Sequence, residues 1–379
     1  MIEGGVRQIP LAQPVIGERE RELVEQVLSS DVLALGPFAE RFEEGVAEMA
    51  GRRFGISCSS GTAGLHMAVR ALGIADGDEV ITTPFSFVAS ANCLLYERAR
   101  PVFVDIEEET LGLDPNRVEA ASGPRTVGIL PVHVFGRPCP MPAYNAIAAR
   151  RGLAVIEDSC EAIGSTIDGR KAGTFGRAGI FAFYPNKQMT TGEGGIVVTD
   201  DAALAALLSS LRNQGRGADG NWLAHERLGW NYRIPDILCA LGLVQLERLE
   251  EFVAARQHVV DLYARHLGGI EELVLPPPAA PGQRISWFVY VIALSPQHTR
   301  ENRDALLEHL RTRGIGCRNY FSPIHLQPFY RERFGLREGM FPVTESVASR
   351  TIALPFFNRL GEAAVVRVKD ALAEFFARR

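Results

Sequence analysis

The chain has 379 residues, 46% of them hydrophobic and 22% charged, with a formal net charge of −5, which suits a globular protein large enough for two domains. The negative balance, with no basic stripe interleaved with aromatics, excludes a nucleic-acid-binding surface, and no apolar run reaches the roughly 18 residues of a membrane span. The six cysteines (58, 93, 139, 160, 239 and 317) show neither C-x-x-C pairing nor metal-ligand spacing, so no metal is expected and a reducing cytoplasm is.

The N-terminus, MIEGGVRQIP, carries acid early and has no apolar core, unlike a signal peptide. GEREREL (17–23) opens an amphipathic helix with apolar positions at Leu23, Val24, Val27 and Leu28. Gly36-Pro37 breaks the chain, and a second helix is predicted from Phe38 to Ala50. FGISCSSGTAGLHMAVRAL (54–72) reads as strand, small-residue turn and helix. That turn aims backbone N–H groups at whatever lies over the helix N-terminus, an anion site by geometry and dipole. It is equally an ordinary helix start capped by Ser59, Ser60 or Thr62, and it is neither a Walker loop nor a GxGxxG fingerprint.

EVIT (79–82) leads into PFSFVASANCLLYE, PVFVD (101–105) into a helix near Pro115, and TVGILPVHV (126–134) into a helix after Pro140. Such alternation predicts parallel βαβ units with helices on both faces of a sheet. LAVIE (153–157) then delivers Asp158 at its carboxyl end, and GIFAFY (179–184) delivers Lys187 inside a polar stretch closed by GEGG (192–195). Ligands of open α/β sheets lie outside the carboxyl ends of strands, so both residues arrive where a cofactor would sit. A lysine amine able to form a Schiff base and a carboxylate that keeps a pyridine nitrogen protonated are what pyridoxal 5'-phosphate (PLP) requires. Most strand-end aspartates merely cap a helix and most lysines are solvated, so the pair gains meaning only from the rest of the chain.

A helix over 201–213 follows the VVTD strand, then a Gly- and Asn-rich stretch (213–233) that reads as a functional loop. A long helix is predicted from about Pro235 to Leu267. The run LPPPAAPG (275–282) marks a linker or domain seam. Beyond it SWFVYVIAL (286–294) is strand-like, RDALLEHLRTRG (303–314) is a helix ended by Gly, and the tail is helical from Glu362. The expected class is α/β: a large domain over 1–250 with a mostly parallel mixed sheet, and a smaller α+β domain over 251–379.

SSGTAGLHMAVRALGI (59–74), GDEVITTPFSFVASAN (77–92), PVFVDI (101–106), EDSCEAIGS (157–165), FAFYPNKQMTTGEGG (181–195), GWNYRIPDILCALGLVQLERL (229–249) and YFSPIHLQPFY (320–330), in this order, resemble the DegT/DnrJ/EryC1/StrS family of PLP-dependent sugar aminotransferases. The resemblance implies fold type I of the PLP-dependent transferases, like aspartate aminotransferase. It implies transfer of an amino group, from L-glutamate by family habit, to a keto-deoxysugar on a nucleoside diphosphate, for amino-sugar and polysaccharide biosynthesis. By position it implies PLP held covalently by Lys187 as an internal aldimine, Asp158 at the pyridine nitrogen, and the backbone amides of Thr62 and Ala63 on the phosphate. Phe87 would stack on the ring and Glu161 would face its phenolic oxygen. Asn231 would reach the phosphate from the neighbouring subunit of a homodimer with shared active sites, and His325 would lie near the sugar.

Two positions depart from the family pattern. Glu161 stands where many members carry Gln, and a carboxylate facing a phenolate must be protonated or share a proton. Ala182 stands where many carry Ser, which removes one charge-assisted hydrogen bond, on the order of 1.5–3 kcal/mol, and leaves the phosphate to the amides and Asn231. His66, among Leu65, Met67 and Val69, reads as a packed histidine, and His133 ends a strand at the same sheet edge without a catalytic assignment. The ending TTGEGG resembles members that aminate C4, such as perosamine synthases. The alternatives are C3 of a 3-keto sugar or a keto-cyclitol. Relatives that are sugar dehydratases carry histidine in place of the lysine, so Lys187 argues against that reaction, and with Asp158 it argues against a non-catalytic role.

Overall fold

The computed structural model describes residues 8–217 and 223–378. Two helices, α1 (Glu18–Leu28) and α2 (Pro37–Ala50), come first. Pro37 is the first residue of α2, where a missing N–H costs nothing, so Gly36-Pro37 starts the helix as well as interrupting the chain. The buried face of α1 is Glu20, Leu23 and Val27, whereas Leu28 is 61% exposed. The predicted apolar stripe does not hold at Leu28, the last residue of α1, while Glu20 joins the buried face. Its carboxylate accepts from Gly17 N, Gln245 Nε2 and Arg248 Nη1 at 2.9, 2.7 and 2.9 Å, which offsets the cost of burying it.

Strands and helices then alternate as expected: β1 (Phe54–Cys58), α3 (Gly61–Ala71), β2 (Glu79–Thr82), α4 (Ala89–Tyr96), β3 (Arg100–Phe103), α5 (Pro115–Ala121), β4 (Thr126–Leu130), α6 (Met141–Arg151) and β5 (Ala154–Asp158). A small hairpin, β6 (Thr166–Ile167) and β7 (Arg170–Lys171), precedes β8 (Ala178–Ala182) and β9 (Gly195–Thr199). Seven of these strands form one sheet in the order β1-β9-β8-β5-β4-β2-β3. The pairs β3–β2, β2–β4, β4–β5 and β5–β8 are parallel, and β9 runs antiparallel to both neighbours. This is the α/β, mostly parallel mixed sheet that the sequence predicts. The reversal at β9 has a plain cause. Only a short loop, 183–194, joins it to β8, and a connection without a crossover element can pair neighbours only antiparallel. That loop carries Lys187. β4 stops at Leu130 rather than running on to Val134 because Pro131 has no N–H to give the ladder.

α7 (Ala202–Arg212) is capped by Asp201, whose Oδ1 accepts from Ala203 N and Leu204 N. Of the loop read over 213–233, residues 218–222 lie outside the described residues. Its end returns to the sheet, where Asn213 bridges Asn231 and Ser59 N donates to Tyr232 O at 2.8 Å. The single long helix predicted over 235–267 is two, α8 (Asp236–Glu247) and α9 (Leu249–Leu267), parted at Arg248 (φ −101°, ψ 7°). α8 packs on α1 and α2, while α9 turns to α13 (Glu362–Ala377), so the break lets the chain leave one core and enter another.

That second core surrounds a three-stranded antiparallel sheet, β10 (Leu273–Val274), β12 (Tyr290–Leu294) and β13 (Thr351–Leu354), while β11 (Gln283–Arg284) pairs with β6. Helices α10 (Arg300–Thr312), α11 (Pro328–Phe334) and α12 (Pro342–Arg350) fill the remainder. Tyr263 of α9 stacks on Tyr290 of β12 with ring centroids 4.6 Å apart, and Ile9 of the N-terminal arm joins this core. The predicted strand over 286–294 begins only at Tyr290. Before it, Ser286 N donates to Ser165 Oγ and Phe288 N to Phe135 O, so this segment is tied to loops of the large sheet instead of a strand partner. Among the described residues no helix is long and apolar enough to cross a membrane.

Beside Asp158 on β5, Glu157 is fully buried. Its carboxylate accepts the N–H groups of Gly173 and Gly176 and lies 3.2 Å from His133 Nε2. Cys139 N donates to His133 Nδ1 at 3.0 Å, so the imidazole carries its proton on Nε2 and gives it to Glu157. Glu157→Ala would strand these donors, and it is expected to cost roughly 3 kcal/mol or more, read as a lowered urea midpoint. A midpoint unchanged from wild type would contradict this role.

Candidate active site

The site is assembled where β5 and β8 end and α3 begins. Ser60 is the N-cap of α3, accepting from Ala63 N at 3.1 Å through Oγ. The N–H groups of Gly61 and Thr62, in the first turn, have no acceptor within the helix. Of the two amides that the resemblance implies for a phosphate, Thr62's is open in this way and Ala63's is engaged by the cap. The helix start lies almost on the sheet. A β-carbon on Gly61 would stand 2.7 Å from Cβ of Ala182 and 2.9 Å from Sγ of Cys160. One on Gly195 would stand 2.5 Å from the carbonyl of Ser60 and 2.7 Å from the amide of Gly61. Glycine closes GEGG because only a residue without a side chain lets β9 pass there.

Asp158, the last residue of β5, is buried. Its Oδ2 accepts from Ser90 Oγ at 2.7 Å and its Oδ1 from Cys160 N at 3.1 Å. Among the described residues no cation pairs with it. A buried carboxylate held by two neutral donors is a negative charge with no counter-charge, an arrangement that is costly unless a cationic group completes it.

Lys187 follows on the β8–β9 loop, with its side chain 13% exposed. Its ammonium lies 3.5 Å from Glu161 Oε1 and 3.9 Å from the centroid of the Phe288 ring. The backbone beneath is clamped. Arg256 of α9, buried, donates to Lys187 O at 2.8 Å and to Phe288 O at 3.0 Å, tying the lysine loop to the 286–288 segment. Gln188 Nε2 does the same between Glu161 O (2.6 Å) and Ser286 O (2.8 Å). Glu161 is buried, and Oε2 accepts from Phe135 N at 2.8 Å. Burial pushes its carboxyl above the ordinary glutamate range, against the opposing pull of the Lys187 ammonium. The Tyr320 phenol is likewise pushed up, first by burial and then by the neighbouring Glu161.

A groove of about 860 Å3 is walled by Ser86, Phe87, Tyr96, Phe321, Phe329 and Arg333 among others, and Lys187, Asp158 and Glu161 do not line it. Phe87 is 60% exposed on its rim. Asn231 is exposed beside the Asn213 bridge and does not meet Lys187 or Asp158 within the chain. His325 is fully buried, its Nε2 3.0 Å from Glu345 Oε1 and its ring against Phe341, so its side chain is engaged away from Lys187. His66 is buried among Tyr96, Trp230 and Tyr232, bonded to Tyr232 Oη and Glu97. It is the packed histidine that its neighbours in sequence suggest.

The structure sets Lys187 beside Glu161, and Asp158 at the end of β5, on whose sheet the start of α3 lies; the sequence reading passes over Ser90, Phe288, Arg256 and Tyr320. Three of these come from segments far along the chain, and no local pattern points to them. One available signal went unused: the chain has three lysines, Lys171, Lys187 and Lys369. Lys171 donates to Met49 O and Lys369 pairs with Asp370. Lys187 alone stands at the strand ends.

An α/β sheet whose strand ends gather an amine, a charge-hungry carboxylate and open helix-start amides can bind a phosphorylated, electrophilic aromatic group and bond to it. That is the equipment of a group-transfer enzyme. The chain belongs to the DegT/DnrJ/EryC1/StrS aminotransferase family, which it matches over residues 14–373. It is 37% identical over 366 residues to a GDP-perosamine synthase of Caulobacter vibrioides, covering 96% of this chain and 97% of the other. It is 35% identical over 376 residues to the spore coat polysaccharide biosynthesis protein SpsC of Bacillus subtilis, covering 97% and 96%. The crystal structure of S. venezuelae DesV in complex with a ketimine intermediate superposes with a TM-score of 0.88 at 34% identity, over 95% of this chain and 94% of that one.

Glu161 yields a pH prediction. With its carboxyl pushed above the ordinary value of 4.5, the folded protein keeps a proton that the unfolded chain has already lost. Stability must therefore fall as pH rises from that value toward the raised one. Glu161→Gln cannot ionise, so its urea midpoint should fall less than that of wild type between pH 4.5 and neutrality. Parallel curves for the two proteins would contradict the shift.

Proposed function

We propose that the protein is a PLP-dependent aminotransferase that carries an amino group from L-glutamate to C4 of a 4-keto-6-deoxysugar linked to a nucleoside diphosphate. The observation that carries this reading is the buried Asp158 carboxylate, which pairs with no cation among the described residues, at the same strand ends as the Lys187 amine and the open amides of Gly61 and Thr62. The set fits the cofactor: anion donors for its phosphate, a counter-charge for its protonated ring, an amine for its carbonyl. The similarity to a GDP-perosamine synthase and to the C4 pattern TTGEGG supports the sugar and the position. When bound, PLP supplies a carbonyl that captures amines and a protonated ring that takes up the electron pair left when a C–H bond breaks.

The chain's own residues do the rest. Lys187 would hold the cofactor through its amine and would move the donor's α-proton as general base and acid. The Asp158 carboxylate would hold the proton on the ring nitrogen. The first-turn amides of α3 bind the phosphate, the Thr62 and Gly61 N–H groups directly, with Ala63 kept in place by Ser60. Phe87 would stack on the ring, and Glu161, 3.5 Å from the Lys187 ammonium, would hold a proton toward the cofactor's phenolic oxygen. Asn231, exposed at the end of its loop, serves the phosphate of a second copy in a homodimer. His325, held by Glu345 through Nε2, would lie near the sugar. All six cysteines are free, which suits work in the cytoplasm.

The test separates the two half-reactions. PLP-loaded protein given L-glutamate should release one 2-oxoglutarate per subunit. It should then convert one of a panel of GDP-, dTDP- or UDP-linked 4-keto-6-deoxysugars to the 4-amino sugar, read by mass spectrometry. Lys187→Ala should lower both rates by on the order of 10²- to 10⁴-fold, the range that a general acid–base group supplies. Amination of a 3-keto sugar or a keto-cyclitol alone would overturn the C4 assignment, and no 2-oxoglutarate and no amino product would overturn the reaction.

A further inference from the structure

Asp158 is held from one side by a hydroxyl whose own bonding reaches the groove. Ser90 is the second residue of α4 and is 1% exposed. The N-cap of α4 is Val88, and the Ser90 hydroxyl lies 2.7 Å from Asp158 Oδ2. An ionised carboxylate has no proton to give, so Ser90 is the donor. Its oxygen is then an acceptor, and Ser86 Oγ stands 2.9 Å away as the donor to it. Ser86 is itself buried and lines the groove. Cys160 N fills the other carboxylate oxygen. Two donors on two different oxygens fix the plane of the group, and each stabilises its ionised form. The chain therefore runs Ser86 to Ser90 to Asp158, from the groove wall to the buried charge.

We propose that Ser90 is a positioning residue for amino transfer, which through Asp158 keeps the proton on the ring nitrogen of bound PLP, with Ser86 orienting the Ser90 hydroxyl. The proposal rests on the PLP reading given above. It assigns a task to a hydroxyl that touches neither substrate nor cofactor. Without it, the proton shared between the ring nitrogen and Asp158 moves toward the carboxylate, and the ring is a weaker electron sink.

The test loads wild-type protein and the variants Ser90→Ala, Ser90→Thr and Ser86→Ala with PLP labelled with 15N in the ring. The nitrogen resonance reports where the proton sits, and kcat and KM are measured for the glutamate half-reaction. In Ser90→Ala the resonance should move toward that of an unprotonated pyridine, and kcat should fall roughly tenfold or more, the effect of one hydrogen bond to a charged group, with KM little changed. Ser90→Thr, which keeps the hydroxyl, should retain the wild-type resonance. Ser86→Ala should shift it in the same direction by less. A wild-type resonance in Ser90→Ala overturns the proposal, as do equal losses in Ser90→Ala and Ser90→Thr, which would mark a packing effect. If Ser90→Ala does not fold, the resonance of Ser86→Ala decides, and a wild-type value there overturns the proposal. A wild-type protein that takes up no PLP overturns the underlying reading and the Ser90 assignment with it, whereas a working wild type with an indistinguishable Ser90→Ala sinks the Ser90 assignment alone.

Discussion

Burying a carboxylate without a cation beside it costs several kcal/mol even after relaxation, and the end of β5 does so at Asp158. The neighbouring residues are arranged to tolerate that charge without cancelling it. A serine hydroxyl and a backbone amide each satisfy one oxygen, while the Lys187 ammonium is drawn to Glu161 and to the face of Phe288. Adjacent Glu157 is treated differently, with its carboxylate saturated by two amides and an imidazole. Two acids side by side on one strand therefore have different tasks. One is fully satisfied and organises the turns, and the other pairs with no cation among the described residues.

Everything around that charge depends on how the chain comes back to it. The short return from β8 to β9 makes β9 antiparallel and leaves Lys187 on the loop between them. Glycine at 61 and 195 lets the start of α3 lie on the sheet closely enough for its first-turn amides to face the same space. Arg256 and Gln188 then lock the lysine loop to the segment before β12. The second core, although built on its own three strands, is thereby fastened to the site. The Phe288 ring against the Lys187 ammonium comes from this junction and not from the large sheet.

Much of this was legible in the sequence, and the reasons it was or was not are physical. Apolar runs separated by single helical segments specify parallel pairing, so the sheet and the arrival of Asp158 and Lys187 at its carboxyl edge follow from local pattern. The glycines and small residues of SSGTAG and GEGG mark close backbone approach. What stayed hidden depends on contacts between distant segments. Ser90 looks like any polar residue early in a helix until the fold sets it against Asp158, 68 residues later. The break at Arg248 carries no proline or glycine, and its cause is the pull of two different cores. Glu20 buries because it finds three donors that lie outside the reach of a helical-periodicity argument. His325 is drawn to Glu345, a pairing that no motif records.

The most direct measurement of the central claim is where a reduced cofactor is found. PLP-loaded protein would be treated with borohydride, digested, and its peptides weighed. With three lysines in the chain, the outcomes are few. The account predicts cofactor mass on the peptide that contains Lys187 and on no other. A label on the Lys171 or Lys369 peptide, or on none, would contradict it.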